Sequence, residues 1–300
     1  MKRGDFVALA TAASVALPAP GRGSSGDVLV WYAADLSGTR VLSKDPDRVL
    51  PAASVIKLLI ARTLVDAVAT SALSLHSRIP LAAHDRVGGS DRFGTSVPGS
   101  YAVADLLGAM LSVSDNTASN VLLRYVGRER CNRRAAASGL TATRIRRRFY
   151  DWDAQRRGLE NTTTPRESAY LLLELARRAG DRGRGGDVAL AAMNALLHQT
   201  DRETIPAALH RSGIANKTGE LPGVRNDVAI VGYGQRHGYV ISVMDRYGGA
   251  RSSAVLAMRS LVGSLDRRLG PVPHDAKQHK EGVPKGALFE AFPATEGAIQ

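Results

Sequence analysis

Residues 53–59 read ASVIKLL, and they open a longer stretch, SVIKLLIARTLVDAVAT, that follows Pro51. Val55, Ile56, Leu58, Leu59 and Ile60 surround Lys57, so this turn of helix has no polar side. A helix that is apolar all round is a buried one. An isolated buried ammonium is costly, and the pKa of Lys57 is expected to fall unless a partner holds its charge. Positions i and i+3 share a helix face, with Cβ atoms about 5–6 Å apart, which puts Ser54 beside Lys57. If Ser54 begins the helix, its hydroxyl also sits near unpaired N–H groups and the positive end of the dipole. A lysine that has lost its charge can take the proton of that hydroxyl and make it a nucleophile. The plainer alternative is a lysine that snorkels out of an apolar face.

Outward from this helix, the pattern is strands at both ends of the chain and helices between. Alternation and β-branched content mark strands at 28–34 and 39–43, with 35–38 as the turn. Residues 80–100 are rich in Gly, Ser and Pro and read as loop. Helical periodicity follows in VADLLGAMLSV, in NTASNVLLRYVG, in PRESAYLLLELARRA with Pro165 in its first turn, and in DVALAAMNALLH. From about 214, strands return as IANKTG, VAIVGYG and YVISVMD, and a last helix covers 252–269. The fold class is therefore α/β of the α+β kind. One antiparallel sheet is built from N- and C-terminal strands and flanked by helices, with an all-helical lobe beside it. One domain is expected over 27–270, its α/β lobe from 27–60 and 212–270 and its helical lobe from 61–211, with a cleft between them suited to a small molecule.

Three hundred residues allow a substantial core, and 44% hydrophobic with 23% charged residues is ordinary for a globular chain. The net charge of +12 comes mainly from 33 Arg against 7 Lys. Basic clusters at 144–148 and 177–184 have no interleaved aromatics, so nucleic acid is not expected as a partner. Cys131 is the single cysteine, which excludes an intramolecular disulfide and a multi-cysteine metal site. Lys2 and Arg3 precede an apolar run over 6–17 and then PAPGRGSSG, the pattern of a secretory signal over 1–22, too short to span a membrane. Residues 271–300 lack periodicity and read as a tail. A monomer, secreted or in the cell envelope, is expected.

Two tripeptides give the Ser54–Lys57 pair its meaning. SDN stands at Ser114–Asn116 and KTG at Lys217–Gly219, and S-x-x-K, S-D-N and K-T-G in that order form a signature set of acylating serine enzymes. No G-x-S-x-G elbow, H-E-x-x-H or P-loop is present, and the seven histidines show no ligand spacing. No metal or organic cofactor is expected.

On these motifs, and on YAVADLLGAMLSVSDNTASNVLL and KTGELPGVRNDVAIV around them, the chain resembles the penicillin-recognising serine hydrolases, closest to class A β-lactamases, over about 27–269. The resemblance implies an α/β sandwich beside a helical lobe. It implies that Ser54 attacks the substrate carbonyl, that Lys57 is the base or part of its relay, and that Ser114 passes a proton to the leaving nitrogen. Asn116 would hold the substrate amide, and Lys217, Thr218 and Gly219 would form the strand that meets the substrate carboxylate. The backbone N–H groups of Ser54 and Glu220 would make the oxyanion hole. Arg225 matches a carboxylate-binding arginine or is a surface residue; Asp227 reads as structural.

One part of the pattern is missing. Class A enzymes release the acyl group with a glutamate in a loop before a TTTP-like segment, which here is Thr162–Pro165. An ungapped count back from Asn161 puts Arg148 at the glutamate position, and Asn161 replaces the acid that anchors the loop to an arginine. Asp151 is the candidate base if the loop is about two residues shorter, with a plain polar loop residue as the alternative. Without such a carboxylate, deacylation is slow. Three functions stand: a β-lactamase; a D-Ala-D-Ala peptidase or esterase inhibited by β-lactams; and a non-catalytic module that binds an anionic envelope polymer.

Overall fold

The computed structural model describes residues 27–235 and 237–270. The signal expected over 1–22 and the tail expected over 271–300 lie outside them. In chain order the elements are β1 (Val28–Asp35), β2 (Val41–Lys44), β3 (Leu50–Pro51), a 3-10 turn at Ala53–Ile56, α1 (Lys57–Ala69), β4 (Arg78–Leu81), β5 (Gly99–Ala102), α2 (Val103–Ser112) and α3 (Asn116–Val126). They continue with α4 (Arg128–Ala137), α5 (Trp152–Arg156), β6 (Thr162–Thr163), α6 (Pro165–Arg178), α7 (Arg184–Leu197), β7 (Ala215–Leu221), β8 (Val224–Val231), β9 (Tyr239–Arg246) and α8 (Arg251–Leu269).

The sheet expected from the two ends of the chain is present. Its order is β2-β1-β9-β8-β7, and every neighbouring pair is antiparallel. Successive residues of a strand point to opposite faces, and both faces of this sheet are covered. Ala229, Val231, Ile241 and Val243 pack against Met258, Leu261, Val262 and Leu265 of α8. Val228, Ile230 and Val240 face the other way, into the core that holds α1 and the remaining helices.

Helix α1 is enclosed on all sides, with buried residues from Lys57 through Val65 without a gap. It begins three residues later than the sequence suggests, because Ala53–Ile56 winds as a tighter 3-10 turn before the α-helix. Helix α4 was not expected. Its sequence, RERCNRRAAA, carries no apolar stripe, and only Cys131 and Ala135 are buried. The short pairs β3–β6 and β4–β5 were likewise not expected: their strands of two and four residues are too brief to show alternation.

Candidate active site

Three elements converge at one end of α1. The 3-10 turn carries Ser54, the turn between α2 and α3 carries Ser114, and the edge strand β7 carries Lys217–Gly219. Ala53, immediately before Ser54, has φ +47°, and Ser114 has φ +57°. Left-handed conformations in non-glycine residues are held by their surroundings and cluster at functional sites. Asp115 supplies such surroundings for Ser114. It is fully buried, caps α3 by accepting from Ala118 N at 2.8 Å, and accepts from Arg92 N and Phe93 N on the facing loop.

Lys57 and Lys217 are both 0% exposed, and both reach the same hydroxyl. Lys57 Nζ lies 3.0 Å from Ser114 Oγ, and Lys217 Nζ lies 3.1 Å from it. Lys57 also donates to Ser114 O and to Asn116 Oδ1, the latter at 2.8 Å. Burial, and then the Lys217 charge, push the Lys57 pKa well down against the opposing pull of Asp115. Burial also lowers Lys217, to about 7, although Asp201 and Asp227 partly restore its charge. Each amine is thus displaced toward the neutral form that can accept a proton. Ser54 is half-buried and lines a cavity of about 460 Å³.

Gly219 explains its own identity. A Cβ there would stand 2.9 Å from both Ala52 O and Ser54 N, so only glycine lets β7 press against the turn that bears Ser54. Asn226 Nδ2 reinforces that junction from β8, donating to Pro51 O at 2.9 Å and to Ala52 O at 3.2 Å. Because β7 is the edge strand, one row of its N–H groups has no strand partner. Thr218, next to Lys217, is buried. Asn116 sits across the cleft and donates through Nδ2 to Gly89 O at 2.8 Å.

Two expected site residues are placed elsewhere. Arg225 is neither a free carboxylate fork nor a surface residue. It is 1% exposed, grips Asp201 with two bonds of 2.8 Å, and bonds Glu220 at 2.7 Å. The Glu220 carboxylate is shared in turn with Arg251. Asp151 caps the short helix α5, accepting from Ala154 N at 2.9 Å, and does not line the cavity. Asp227 is buried and accepts from Ile205 N and Asn216 Nδ2, and burial raises it to about 6.

The residue that the loop turns toward Lys57 is Phe149, its ring centroid 4.8 Å from Lys57 Nζ. The ungapped count is off by one: Arg148 is exposed and approaches Asp85 at 3.7 Å. Buried Asn120 of α3 fixes the Phe149 main chain from both sides. It donates to Phe149 O at 3.1 Å and accepts from Phe149 N at 2.9 Å. The neck of the loop is closed by Arg147 and Glu160, with contacts of 2.8 to 3.1 Å. The anchoring acid is therefore present, one position before Asn161, which instead accepts from Arg146 N and Arg147 N. Glu160 in the sequence could have signalled this, since an acid beside the expected position can serve the same arginine.

This fold, with two buried lysines on one serine hydroxyl at the edge of the sheet, defines a serine enzyme of the β-lactamase type. The chain belongs to the beta-lactamase enzyme family, whose model matches residues 16–264. No curated protein matches it. Among solved structures, PBP-A superposes with a TM-score of 0.73 at 23% identity, covering 83% of this chain and 92% of that one. A β-lactamase from Sphaerobacter thermophilus gives 0.70 at 24% identity, covering 83% and 94%. A class A β-lactamase from Mycobacterium abscessus gives 0.70 at 22%, covering 82% and 95%. No helix among the described residues is long and apolar enough to cross a membrane.

Proposed function

We propose that the protein is a penicillin-reactive serine acyltransferase that loads quickly and unloads slowly. The observation that carries this reading is the pair of buried lysines meeting at Ser114 Oγ, one of them three residues from Ser54. Ser54 Oγ attacks the carbonyl carbon of a lactam or a related amide or ester. As the Oγ–C bond forms, the neutral Lys57 amine takes the serine proton. The C–N bond then breaks, and a proton passes through the Ser114 hydroxyl to the departing nitrogen. The N–H groups of Ser54 and Glu220 receive the developing oxyanion, and preorganised donors of this kind are often the largest catalytic contribution. The close approach of Gly219 to Ser54 N supports that assignment. Lys217 and Thr218 meet the substrate carboxylate, whose charge would return Lys217 to its protonated form. Arg225 serves through Asp201 and Glu220 and not by direct contact.

Phe149 favours the slow-release reading over an efficient β-lactamase. An apolar ring cannot activate water, and general-base assistance is commonly worth about 10²–10⁴ in rate. The D-Ala-D-Ala peptidase or esterase alternative uses the same machinery and differs in substrate. Intact-mass measurement after mixing with benzylpenicillin tests both steps. A one-to-one adduct that persists for hours and is absent in Ser54→Ala is expected; no adduct in the wild type would refute acylation. The basic start and apolar run over 1–17 support export to the envelope, which fractionation of producing cells would check.

A further inference from the structure

The positive charge of the chain is not spread evenly. Residues 124–160 hold eleven arginines against four acids, an excess of seven out of the net +12. They cover the end of α3, helix α4, the loop that carries Phe149, and α5. Arg134 and Arg147 turn inward onto Glu174 and Glu160, whereas Arg124, Arg128, Arg146 and Arg148 are exposed. The same span holds four of the eight large hydrophobic side chains exposed among the described residues: Tyr125, Tyr150, Trp152 and Leu159. Tyr125 and Leu159 do not line the Ser54 cavity, so the acylation site does not account for their exposure. Charge by itself marks only a solvated face, but exposed rings set among arginines mark a surface that binds.

These arginines are held from beneath. Asp85 is fully buried and serves two of them: Arg124 Nη2 donates to it at 2.8 Å, and Arg148 approaches it at 3.7 Å. Arg128 Nη1 donates to Arg146 O at 3.2 Å, and Arg146 Nη1 donates to Glu160 O at 3.0 Å, next to Leu159. Arg147 lies 5.8 Å from the centre of the Trp152 ring. The loop under the patch is fixed as well. Tyr150 has φ +62°, and its ring is seated against Gly88–Gly89, where an added Cβ would stand 2.6 Å and 2.7 Å from it. The anchoring uses few donors. Arg128 and Arg148 keep 53% and 48% of their side chains in solvent, and a guanidinium has five N–H donors, so some remain for an anion.

We propose that this face docks on the surface of an anionic phospholipid bilayer. The proposal goes beyond the acylation reading and holds whether or not Ser54 is acylated. Charge complementarity sets the sign of the partner: clusters of about four to eight basic side chains attract anionic headgroups. A guanidinium fork also fits the paired oxygens of a phosphate. The exposed rings select a bilayer over a dissolved polyanion. Tyr and Trp settle at headgroup depth, with the apolar body covered and the polar tip wet. A soluble polymer has no apolar layer in which to cover Tyr125 and Leu159. Trp152 belongs both to this face and to the cavity wall, so docking holds the Ser54 cleft close to the lipid.

The test is co-sedimentation of the full chain with vesicles of phosphatidylglycerol mixed into phosphatidylcholine, against phosphatidylcholine alone. Binding to the anionic vesicles only, weakened by added salt, is expected. Arg128→Gln combined with Arg148→Gln should lower the partition coefficient about 25-fold, at about fivefold per arginine. Tyr125→Ser keeps every charge and should also weaken binding. Thermal melts show which variants are folded, and the wild-type comparison of the two lipids stands without them. Failure to bind anionic vesicles, or equal binding to neutral ones, overturns the proposal. Unchanged binding by the folded double variant also overturns it, and would assign the contact to another part of the chain, such as the apolar run over 6–17. Wild-type binding by a folded Tyr125→Ser overturns the bilayer in favour of a soluble polyanion.

Discussion

Replacing Phe149 by glutamate would put a carboxylate where the main-chain clamp of Asn120 already aims a side chain at Lys57. At the 4.8 Å now separating ring and amine, an effective dielectric of about 20 gives an attraction near 3.5 kcal/mol. That attraction would raise the Lys57 pKa against the burial that now lowers it, and would keep the new carboxylate ionised. Acylation should therefore gain nothing, since Lys57 becomes a poorer proton acceptor. Release should quicken by about 10²–10⁴, the usual contribution of a positioned base. Losing the buried ring costs stability, on the order of 3 kcal/mol before the new ion pair offsets part of it. Stopped-flow loading followed by time-resolved intact mass would separate the two steps, with thermal melts to confirm folding. Phe149→Gln matches the size without the charge and should leave the adduct long-lived. A folded, acylated Phe149→Glu with the wild-type lifetime would refute the reasoning, as would equal acceleration in Phe149→Gln.

Gly219→Ala forces a methyl group to within 2.9 Å of Ala52 O and Ser54 N. The turn bearing Ser54 must move, and the acylation rate should fall about a hundredfold, read by the same loading assay. Asp151→Asn should leave the adduct lifetime unchanged, because Asp151 caps α5 outside the cavity; a longer lifetime would return it to the site. Lys217 titrates near 7 when folded and near 10.5 when unfolded, so between these values the unfolded chain binds more protons. Stability from this group is complete above about 10.5 and lost as pH falls toward 7, with a slope of at most about 1.4 kcal/mol per pH unit. Lys217→Met lacks this group, so the wild-type-minus-variant difference in unfolding free energy should rise with pH by at most about 1.4 kcal/mol per unit in denaturant melts at pH 7.5 to 9.5.

Much of this centre is legible in the sequence because its chemistry is local. Ser54 and Lys57 are one turn apart, and the apolar run around them announces the burial that shifts the lysine. The SDN and KTG tripeptides mark the other two elements, and the strands at the two ends of the chain announce the sheet. Arg225 was misplaced for a different reason. Its partner Asp201 is 24 positions away in the loop after α7, and no local pattern shows that a guanidinium is already occupied. The loop failed to resolve because its register depends on where its neck closes. The Arg147–Glu160 pair closes it one residue before Asn161, and Phe149 precedes Glu160 by 11 positions (160 − 149) where the ungapped count took 13 (161 − 148). The loop is thus two residues shorter, which puts Phe149 in the place given to Arg148 and leaves Asp151 outside. Tyr150 carries no signal at all in the chain; its backbone angle and its seat on Gly88–Gly89 exist only after folding.

The enclosure of α1 divides the molecule by the order in which its parts give way. Amide exchange at such a central helix proceeds through global opening, whereas a surface loop held at its neck opens at much smaller cost. Lys57 is therefore rooted in the last part of the protein to loosen, and Phe149 stands on a loop that opens earlier. On warming, the packing of the loop over Lys57 should slacken before the buried lysine itself is released, so the lifetime of a bound acyl group should change before the capacity to become acylated is lost.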